Sequence, residues 1–308
     1  MARRIVLWGV GALAAATAVG VLAAAAAKKP RDVELRAEKL EPRFERLKAL
    51  HAAKTPPKPG EWLESFPEKG QSVAEFMREM PDRPTAKRRT IYLQPIGAFA
   101  GARGRILAAT ADYVERFFGL PVKTLPAVPL SQIPAEARRV HPSWGNEQIL
   151  APWVNNNLLY DKKPADAVAM LGLTDVDLYP EPSWNFVFGQ AATDLGVGVW
   201  SIWRDGDPEK QFKRVLTRAI QTATHEIGHL FGLAHCIGFE CQMNGSNNRE
   251  EADSRPLEVC PACLQKLCAF TGSDPVVRFT RLAEFADAQG FAEEAQKLRA
   301  SAKLLKAP

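Results

Sequence analysis

HEIGHLFGLAHCIGFECQMNGS, residues 225–246, holds three histidines, two glutamates, two cysteines and a methionine in one short segment. His225 and His229 are four residues apart, so both imidazoles project from one face of a helix and can bind the same ion. Gly232 can end that helix because glycine tolerates a positive φ angle. The chain can then turn back and bring His235 to the same ion. The spacing therefore predicts a zinc site at the end of a helix.

Three protein ligands leave a fourth position open for water, which is the pattern of a catalytic rather than a structural zinc site. Zinc lowers the pKa of its bound water to about 7. Glu226, next to the first histidine, is placed to accept the proton of that zinc-bound water as a general base. We therefore predict a zinc hydrolase. The alternative is a zinc-stabilised binding module with a vestigial catalytic site, but such a site would be expected to lose Glu226.

A second set of metal ligands begins directly after His235. Four cysteines follow the pattern C-x4-C and, further along, C-x2-C, which is the spacing of a four-thiolate structural zinc site. They are Cys236, Cys241, Cys260 and Cys263. Two disulfides are the alternative in an exported chain. Because neighbouring side chains of an extended segment point to opposite sides, His235 and Cys236 can serve two different zinc ions.

Residues 90–130 predict the start of a mixed or parallel sheet. Residues 90–99 have the β-branched and aromatic character of a buried strand, and residues 120–130 predict a second strand. Between them, residues 105–119 have helical periodicity and end at a glycine. The order strand–helix–strand favours a right-handed crossover between parallel strands.

The next elements lead to the histidine-rich segment. Residues 163–180 predict a helix followed by a strand, and residues 184–191 and 196–203 predict two further strands. Residues 211–232 have apolar side chains along one helical stripe and predict a long helix that carries the first two histidines. The fold class is therefore α/β (α+β), with a mixed sheet, a long active-site helix and a four-cysteine structural zinc loop.

The positive charge of the chain is concentrated at its N-terminus. The net charge is +5, and residues 1–58 contain 12 Lys and Arg against 5 Asp and Glu. The rest of the chain holds slightly more acidic than basic residues. A body without a basic face is a poor binder of nucleic acid, so we expect no nucleic-acid partner.

Residues 5–27 form an uncharged, alanine-rich run that predicts a single N-terminal membrane anchor. As a helix, these 23 residues would span about 34 Å, which is enough for the ~30 Å hydrocarbon core of a bilayer. A cleaved signal peptide, which would make the protein exported, is the alternative, because two arginines precede the run and alanines end it. Basic residues flank the run on both sides, so the side of the membrane stays undecided.

HEIGHLFGLAH resembles the HExxHxxGxxH signature of the metzincin metallopeptidases. The continuation, C-x4-C-x-M followed by C-x2-C, is similar to the archaemetzincin branch of that family. Four further stretches are similar to this branch: EWLESFPEKGQS (61–72), YLQPIG (92–97), DLYPEPSWNFVFGQA (177–191) and MNGSNNREEADSRPLEVCPACLQKL (243–267). The resemblance covers about residues 57–270 and leaves out both ends of the chain.

The resemblance implies a metzincin-like fold and a role for each residue of the motif. His225, His229 and His235 would bind the catalytic zinc, and Glu226 would be the general base. Met243 would be the methionine of the Met-turn, a hydrophobic floor under the metal. The four cysteines would bind a second, structural zinc, so the chain would hold two zinc ions.

The family consists of peptidases, some of them aminopeptidases, so peptides or proteins are the expected substrates. In metzincins a strand above the active-site helix pairs with the substrate backbone. Residues 196–203 are the candidate here, and a core strand is the alternative. No tyrosine or arginine near Met243 is obviously placed to stabilise an oxyanion, so that role is left unassigned.

These observations divide the chain into four segments. Residues 1–27 are a membrane anchor or signal peptide, and residues 28–58 are a charged helical stalk that ends in a Pro-rich linker. Residues 59–272 are the archaemetzincin-like metallopeptidase domain. Residues 273–308 are a C-terminal tail of two amphipathic helices that turn near Gly290.

Overall fold

The computed structural model describes residues 5–7 and 38–306 of the chain. The strands are β1 (Ile5–Leu7), β2 (Thr90–Ile96), β3 (Val122–Thr124), β4 (Arg138–Val140), β5 (Glu147–Leu150), β6 (Ala167–Thr174), β7 (Asp177–Tyr179), β8 (Gly189–Ala192) and β9 (Val197–Ser201). The helices are α1 (Pro42–Glu45), α2 (Trp62–Ser65), α3 (Val73–Glu79), α4 (Gly101–Phe118), α5 (Ala151–Trp153), α6 (Tyr160–Lys162), α7 (Phe212–Leu230), α8 (Arg249–Asp253), α9 (Pro261–Thr271), α10 (Pro275–Ala288) and α11 (Ala292–Lys306). A π-helical stretch, Val154–Leu159, joins α5 to α6.

A six-stranded mixed sheet in the order β1-β8-β9-β6-β2-β3 forms the framework. Strands β9, β6, β2 and β3 are parallel, whereas β8 runs antiparallel to β9 and to β1. A smaller sheet has the order β4-β5-β7. The predicted strand–helix–strand unit is confirmed as β2, α4 and β3, and α4 ends at Gly119, whose φ is 65°. The predicted mixed α/β architecture is thus confirmed.

The helix predicted at the start of residues 163–180 is wrong. This segment forms two strands, β6 and β7, with every residue of both buried. Strand β6 is paired on both sides with parallel neighbours, β2 and β9. A strand buried on both faces is a continuous apolar run, and its periodicity does not distinguish it from a buried helix.

The predicted long helix is confirmed as α7, which packs against the main sheet and α4. Its C-terminal half is buried on all sides, because strands lie on one face and the loop after the helix covers another. Gly232, with a φ of 86°, lets the chain leave the helix and turn back. This turn positions the histidine-rich segment beneath the antiparallel strand β8.

The described part of the predicted stalk belongs to the core. Leu40 is 4% exposed, and Phe44 and Leu47 are fully buried in the cluster that also contains α7. The expectation of a solvated stalk is therefore wrong for residues 38–54, because the apolar side chains at helical spacing pack inward. Residues 55–60, the predicted linker, are all exposed.

The predicted pair of C-terminal helices is confirmed as α10 and α11, separated by a turn at Gly290 with a φ of 73°. Both helices contribute to the main core through Phe279, Leu282 and Leu298.

The predicted anchor, residues 1–27, lies outside the described residues except for Ile5–Leu7. These three residues form β1, which pairs antiparallel with β8 in the register Ile5 to Ala192. Within the described part of the chain, none of the helices has both the length and the apolar character needed to span a bilayer.

Candidate active site and metal centres

His225, His229 and His235 converge at the C-terminal end of α7. The first two lie one helical turn apart, and the turn at Gly232 brings the third against them. One nitrogen from each ring lies within 4.8 Å of the others, and all three side chains are nearly inaccessible to solvent. The arrangement can hold one ion between three imidazoles.

The Nδ1 atom of each ring faces an oxygen acceptor. His225 Nδ1 lies 3.0 Å from the Gln242 carbonyl, and His229 Nδ1 lies 2.8 Å from the Leu233 carbonyl. His235 Nδ1 lies 2.7 Å from a carboxylate oxygen of Glu68. Because these oxygens only accept, the rings carry their proton on Nδ1 and keep a lone pair on Nε2.

The Nε2 atoms of His225 and His229 approach to 2.7 Å. Two lone pairs at this distance repel each other unless a cation lies between them. Burial, followed by the charge of neighbouring histidines, lowers the pKa of His225 well below its usual range, and the same causes lower that of His229 to about 3. Neutral imidazoles with converging lone pairs fit a zinc ion, which prefers nitrogen ligands of this kind.

Glu226 lies beside this cluster, beneath β8. Its two carboxylate oxygens are buried and make no hydrogen bond to any described residue. Burial raises the pKa of Glu226 well above its usual range, and the Arg255 guanidinium opposes that shift. A Cβ atom at Gly189 of β8 would lie 2.7 Å from Glu226 Oε1, so only glycine leaves room for the carboxylate there.

Met243, the predicted methionine of a Met-turn, packs against α7. A Cβ atom at Gly228 would lie 2.6 Å from its sulfur, so the absence of a side chain in α7 lets the methionine approach the helix. Met243 is 1% exposed. It packs as a hydrophobic floor and is outside the group of converging ligand atoms.

The sulfur atoms of the four predicted cysteine ligands also converge. The sulfurs of Cys236, Cys241, Cys260 and Cys263 all lie within 4.8 Å of one another. All are free thiols, so the alternative of two disulfides does not describe this structure. Hydrogen bonds from the other three cysteines hold the pKa of Cys236 well below its usual range. A tetrad of thiols around one point fits a structural zinc ion.

Hydrogen bonds within residues 236–244 hold the loop that connects the two ligand clusters. Cys236 donates its N–H to the Met243 carbonyl at 2.8 Å. The Asn244 side chain donates to the Cys236 carbonyl at 2.6 Å and accepts from the Cys241 N–H at 2.8 Å. Both clusters therefore share one tightly bonded loop.

Glu68 is a site residue that had no assigned role in the sequence. Its Oε1 atom faces both His235 Nδ1, at 2.7 Å, and Trp62 Nε1, at 2.8 Å. Burial raises the pKa of Glu68, but the interactions with His235 and Trp62 outweigh this effect, and the pKa is lowered overall. The similarity of residues 61–72 to archaemetzincins pointed to this stretch without identifying the contact.

Two arginines stand near the catalytic cluster, although none was obvious from the sequence. Arg255 is buried and donates from Nη1 to the Asn244 carbonyl at 3.0 Å. The same Nη1 lies 3.2 Å from His225 Nδ1, a contact without a hydrogen bond because that nitrogen carries its proton toward the Gln242 carbonyl. Arg249 pairs with Asp205 at 2.7 Å. Both arginines line a small enclosed cavity together with Glu226. Arg249 begins the short helix α8 and Arg255 lies in the loop after it, so the positions of both depend on the tertiary fold.

The candidate strand for substrate pairing, residues 196–203, does not have a free edge. It forms β9, which pairs with β6 on one side and β8 on the other. The alternative of a core strand is therefore correct. Strand β8 is the strand that approaches Glu226, through Gly189.

Comparisons with known proteins show which sequences this chain resembles. Residues 154–269 match the model of peptidase family M54. The chain is 37% identical to archaemetzincin-2 of Homo sapiens over 268 residues, which cover 74% of this chain and 72% of that protein. It is 31% identical to archaemetzincin-1 of Homo sapiens over 263 residues, which cover 72% of this chain and 51% of that protein.

A crystal structure of archaemetzincin from Methanopyrus kandleri is 27% identical and covers 62% of this chain and 99% of that one, with a TM-score of 0.49. The sequence identity to archaemetzincin-2, over most of both chains, is sufficient to assign the family. The chain belongs to the archaemetzincins, the zinc metallopeptidases of peptidase family M54.

Proposed function

We propose that this chain hydrolyses peptide bonds at a zinc ion held by His225, His229 and His235, with Glu226 as the general base. The observation that carries the proposal is the convergence of three Nε2 lone pairs, each fixed by an acceptor on Nδ1. Ligand nitrogens from three rings leave a fourth position for water or substrate.

When bound, zinc would supply a water of lowered pKa and polarise the substrate carbonyl. The proton transfers are made by residues of the chain. Glu226, with no protein hydrogen bond among the described residues, is available to take the proton of the attacking water and to pass it to the leaving amine. Its buried position strengthens electrostatic interactions with the reacting atoms.

We assign a second zinc ion to the four cysteines and give it a structural role. Four thiol ligands fill a tetrahedral coordination sphere and leave no position for substrate. The N–H groups of Met243 and Cys260 donate to Cys241 Sγ, at 3.4 and 3.1 Å, and would stabilise the negative charge of this sulfur when it binds zinc. The chain would then bind two zinc ions.

The test combines metal analysis with peptide cleavage on wild type, Glu226→Gln and Glu250→Gln. Glu250 is an exposed carboxylate of α8 and serves as the matched control. We expect two zinc ions in each protein and a rate that falls about 10²- to 10⁴-fold in Glu226→Gln alone, the range for loss of a general base. One zinc per chain, or equal cleavage by wild type and Glu226→Gln, would favour the vestigial binding module.

Aminopeptidase action is the finer proposal, supported by the resemblance to archaemetzincins. Paired peptides with a free and an acetylated N-terminus test it. Release of the first residue from the free peptide alone would support it. Equal internal cleavage of both peptides would contradict it and leave the peptidase proposal standing.

We further propose that the uncharged run holds the protein at a membrane, through the part of it that follows strand β1, residues 8–27. The support is its length, which is sufficient for a bilayer core. N-terminal sequencing of the mature protein from a membrane fraction tests the proposal. A mature chain that begins near Lys28 would replace the anchor with a cleaved export signal.

A further inference from the structure

We propose that Glu68 is a positioning residue for the catalytic metal, and that it orients His235 and keeps the proton of that ring on Nδ1. The inference rests on the proposed function only in taking the three histidines as zinc ligands. The segment that contains Trp62 and Glu68 thereby has a role in the metal site, although it lies outside residues 154–269, which match the family model.

The three histidines differ in how they are supported. His225 and His229 lie on a helix, and their Nδ1 atoms face backbone carbonyls. His235 lies in the loop after Gly232, where no helix fixes the direction of its side chain. Its Nδ1 faces the carboxylate of Glu68, 167 residues earlier in the chain. A charged acceptor on Nδ1 fixes the tautomer and makes the other nitrogen a better metal ligand.

The carboxylate of Glu68 is itself held in place. Trp62 Nε1 donates to the same oxygen that faces His235, and the two rings meet edge to face with centroids 5.2 Å apart. A hydrogen bond to Oε1 from each side leaves the carboxylate little freedom to rotate. Glu68 is 27% exposed at its side chain, whereas His235 is 4% exposed, so the contact is largely removed from water.

Trp62 is anchored to the loop that follows the Met-turn. Its backbone N–H donates to both carboxylate oxygens of Glu251, at 3.0 Å each, and Glu251 also accepts the Asn247 N–H at 2.7 Å. The indole packs so closely over Gly245 that a Cβ atom there would overlap it. The path Glu251–Trp62–Glu68 therefore connects the loop after Met243 to the third histidine.

Three variants of the full-length chain test the role. Glu68→Ala removes the acceptor, and we expect its affinity for metal at the histidine site to fall about 10- to 100-fold, the range for loss of such a partner. Glu68→Gln keeps an oxygen that can accept from both His235 and Trp62, so it should recover much of that loss. Glu64→Ala removes an exposed carboxylate of the same segment and should bind metal as wild type does.

The probe is Co²⁺ added to metal-free protein in competition with a chelator. The cobalt bands of a histidine site differ from the sulfur-to-cobalt charge-transfer bands of a thiolate site, so each site is followed separately. Weakened binding and altered bands at the histidine site in Glu68→Ala, with the cysteine site unchanged, would support the role.

Two results would overturn it. One is a Glu68→Ala protein whose histidine site binds Co²⁺ as tightly as wild type with the same bands. The other is equal weakening of both sites, since that outcome would assign Glu68 a general role in folding. A wild type that binds no Co²⁺ at the histidines would instead contradict the proposed function, so the two failures are distinguishable.

Discussion

His235 and Cys236 are neighbours in the chain and belong to two different clusters of ligands. The His235 ring lies against His225 and His229, with centroids 5.3 and 4.9 Å away. The Cys236 sulfur lies 3.7 Å from the sulfur of Cys260. One peptide unit therefore joins the two clusters.

We expect Cys236→Ala to lose zinc from the cysteine cluster and also to weaken zinc binding by the histidines. Loss of the sulfur releases the loop that orients His235, so catalytic-site affinity should fall about tenfold, at the lower end for an outer-sphere change. Zinc content and chelator competition measure both effects. Cys268→Ala, which removes a buried thiol outside the cluster, is the control. Full activity with only one zinc lost would show that the sites are independent.

Gly189→Ala is expected to reduce peptide cleavage about 10- to 100-fold, because the new methyl group displaces the Glu226 carboxylate. A shift of ~1 Å at a catalytic group has effects of this size. Gly198→Ala is the matched control on the next strand, where a Cβ atom would lie 2.8 Å from Leu171 Cδ1 and far from the acid. This control should lower the melting temperature but keep the activity of the folded fraction. Normal cleavage by Gly189→Ala at full zinc content would refute the close approach.

Glu294 makes stability depend on pH. Burial, and then the carboxylate of Glu258, raises the pKa of Glu294 to about 7, while Lys297 opposes the shift. The folded chain thus keeps a proton that the unfolded chain releases near its ordinary pKa of 4.5. The free energy of unfolding therefore falls as the pH rises from about 4.5 to 7, by an amount on the order of 3 kcal/mol.

Removal of this group should remove that part of the pH dependence. We expect Glu294→Gln to be as stable as wild type near pH 4 and about 3 kcal/mol more stable near pH 8, measured by denaturant unfolding. Glu293→Gln, an exposed carboxylate on the same helix, should follow wild type at both values. Parallel curves for wild type and Glu294→Gln would exclude this source of pH dependence.

Phe44 connects the segment before the linker to the core. Because its side chain is fully buried, Phe44→Ala should lower the free energy of unfolding by about 3–5 kcal/mol. Leu50→Ala, at a side chain that is 48% exposed, should cost less than about 1 kcal/mol. If both changes lowered the free energy of unfolding by the same small amount, residues 38–54 would be a solvated stalk and not part of the core.

The histidine and cysteine patterns were predictable because they depend on local geometry. A spacing of four residues brings His225 and His229 to the same helix face in any helical context. The prediction that His235 and Cys236 serve different clusters rests on an equally local rule, because neighbouring side chains of an extended segment point to opposite sides. The choice between helix and strand is different for a fully buried apolar segment. The start of residues 163–180 was predicted wrongly as a helix, because complete burial removes the alternation of apolar and polar residues that marks a strand.

The amino-acid sequence alone predicted the two clusters of possible metal ligands, the carboxylate beside the first of them and the helix that carries the first two histidines. Only the tertiary structure decided what supports them. Glu68 reaches His235 across 167 residues, and Gly189 approaches Glu226 from a strand that precedes the helix. Contacts of this kind depend on how the sheet, the helix and the N-terminal segment pack together, and no spacing along the chain encodes that distance.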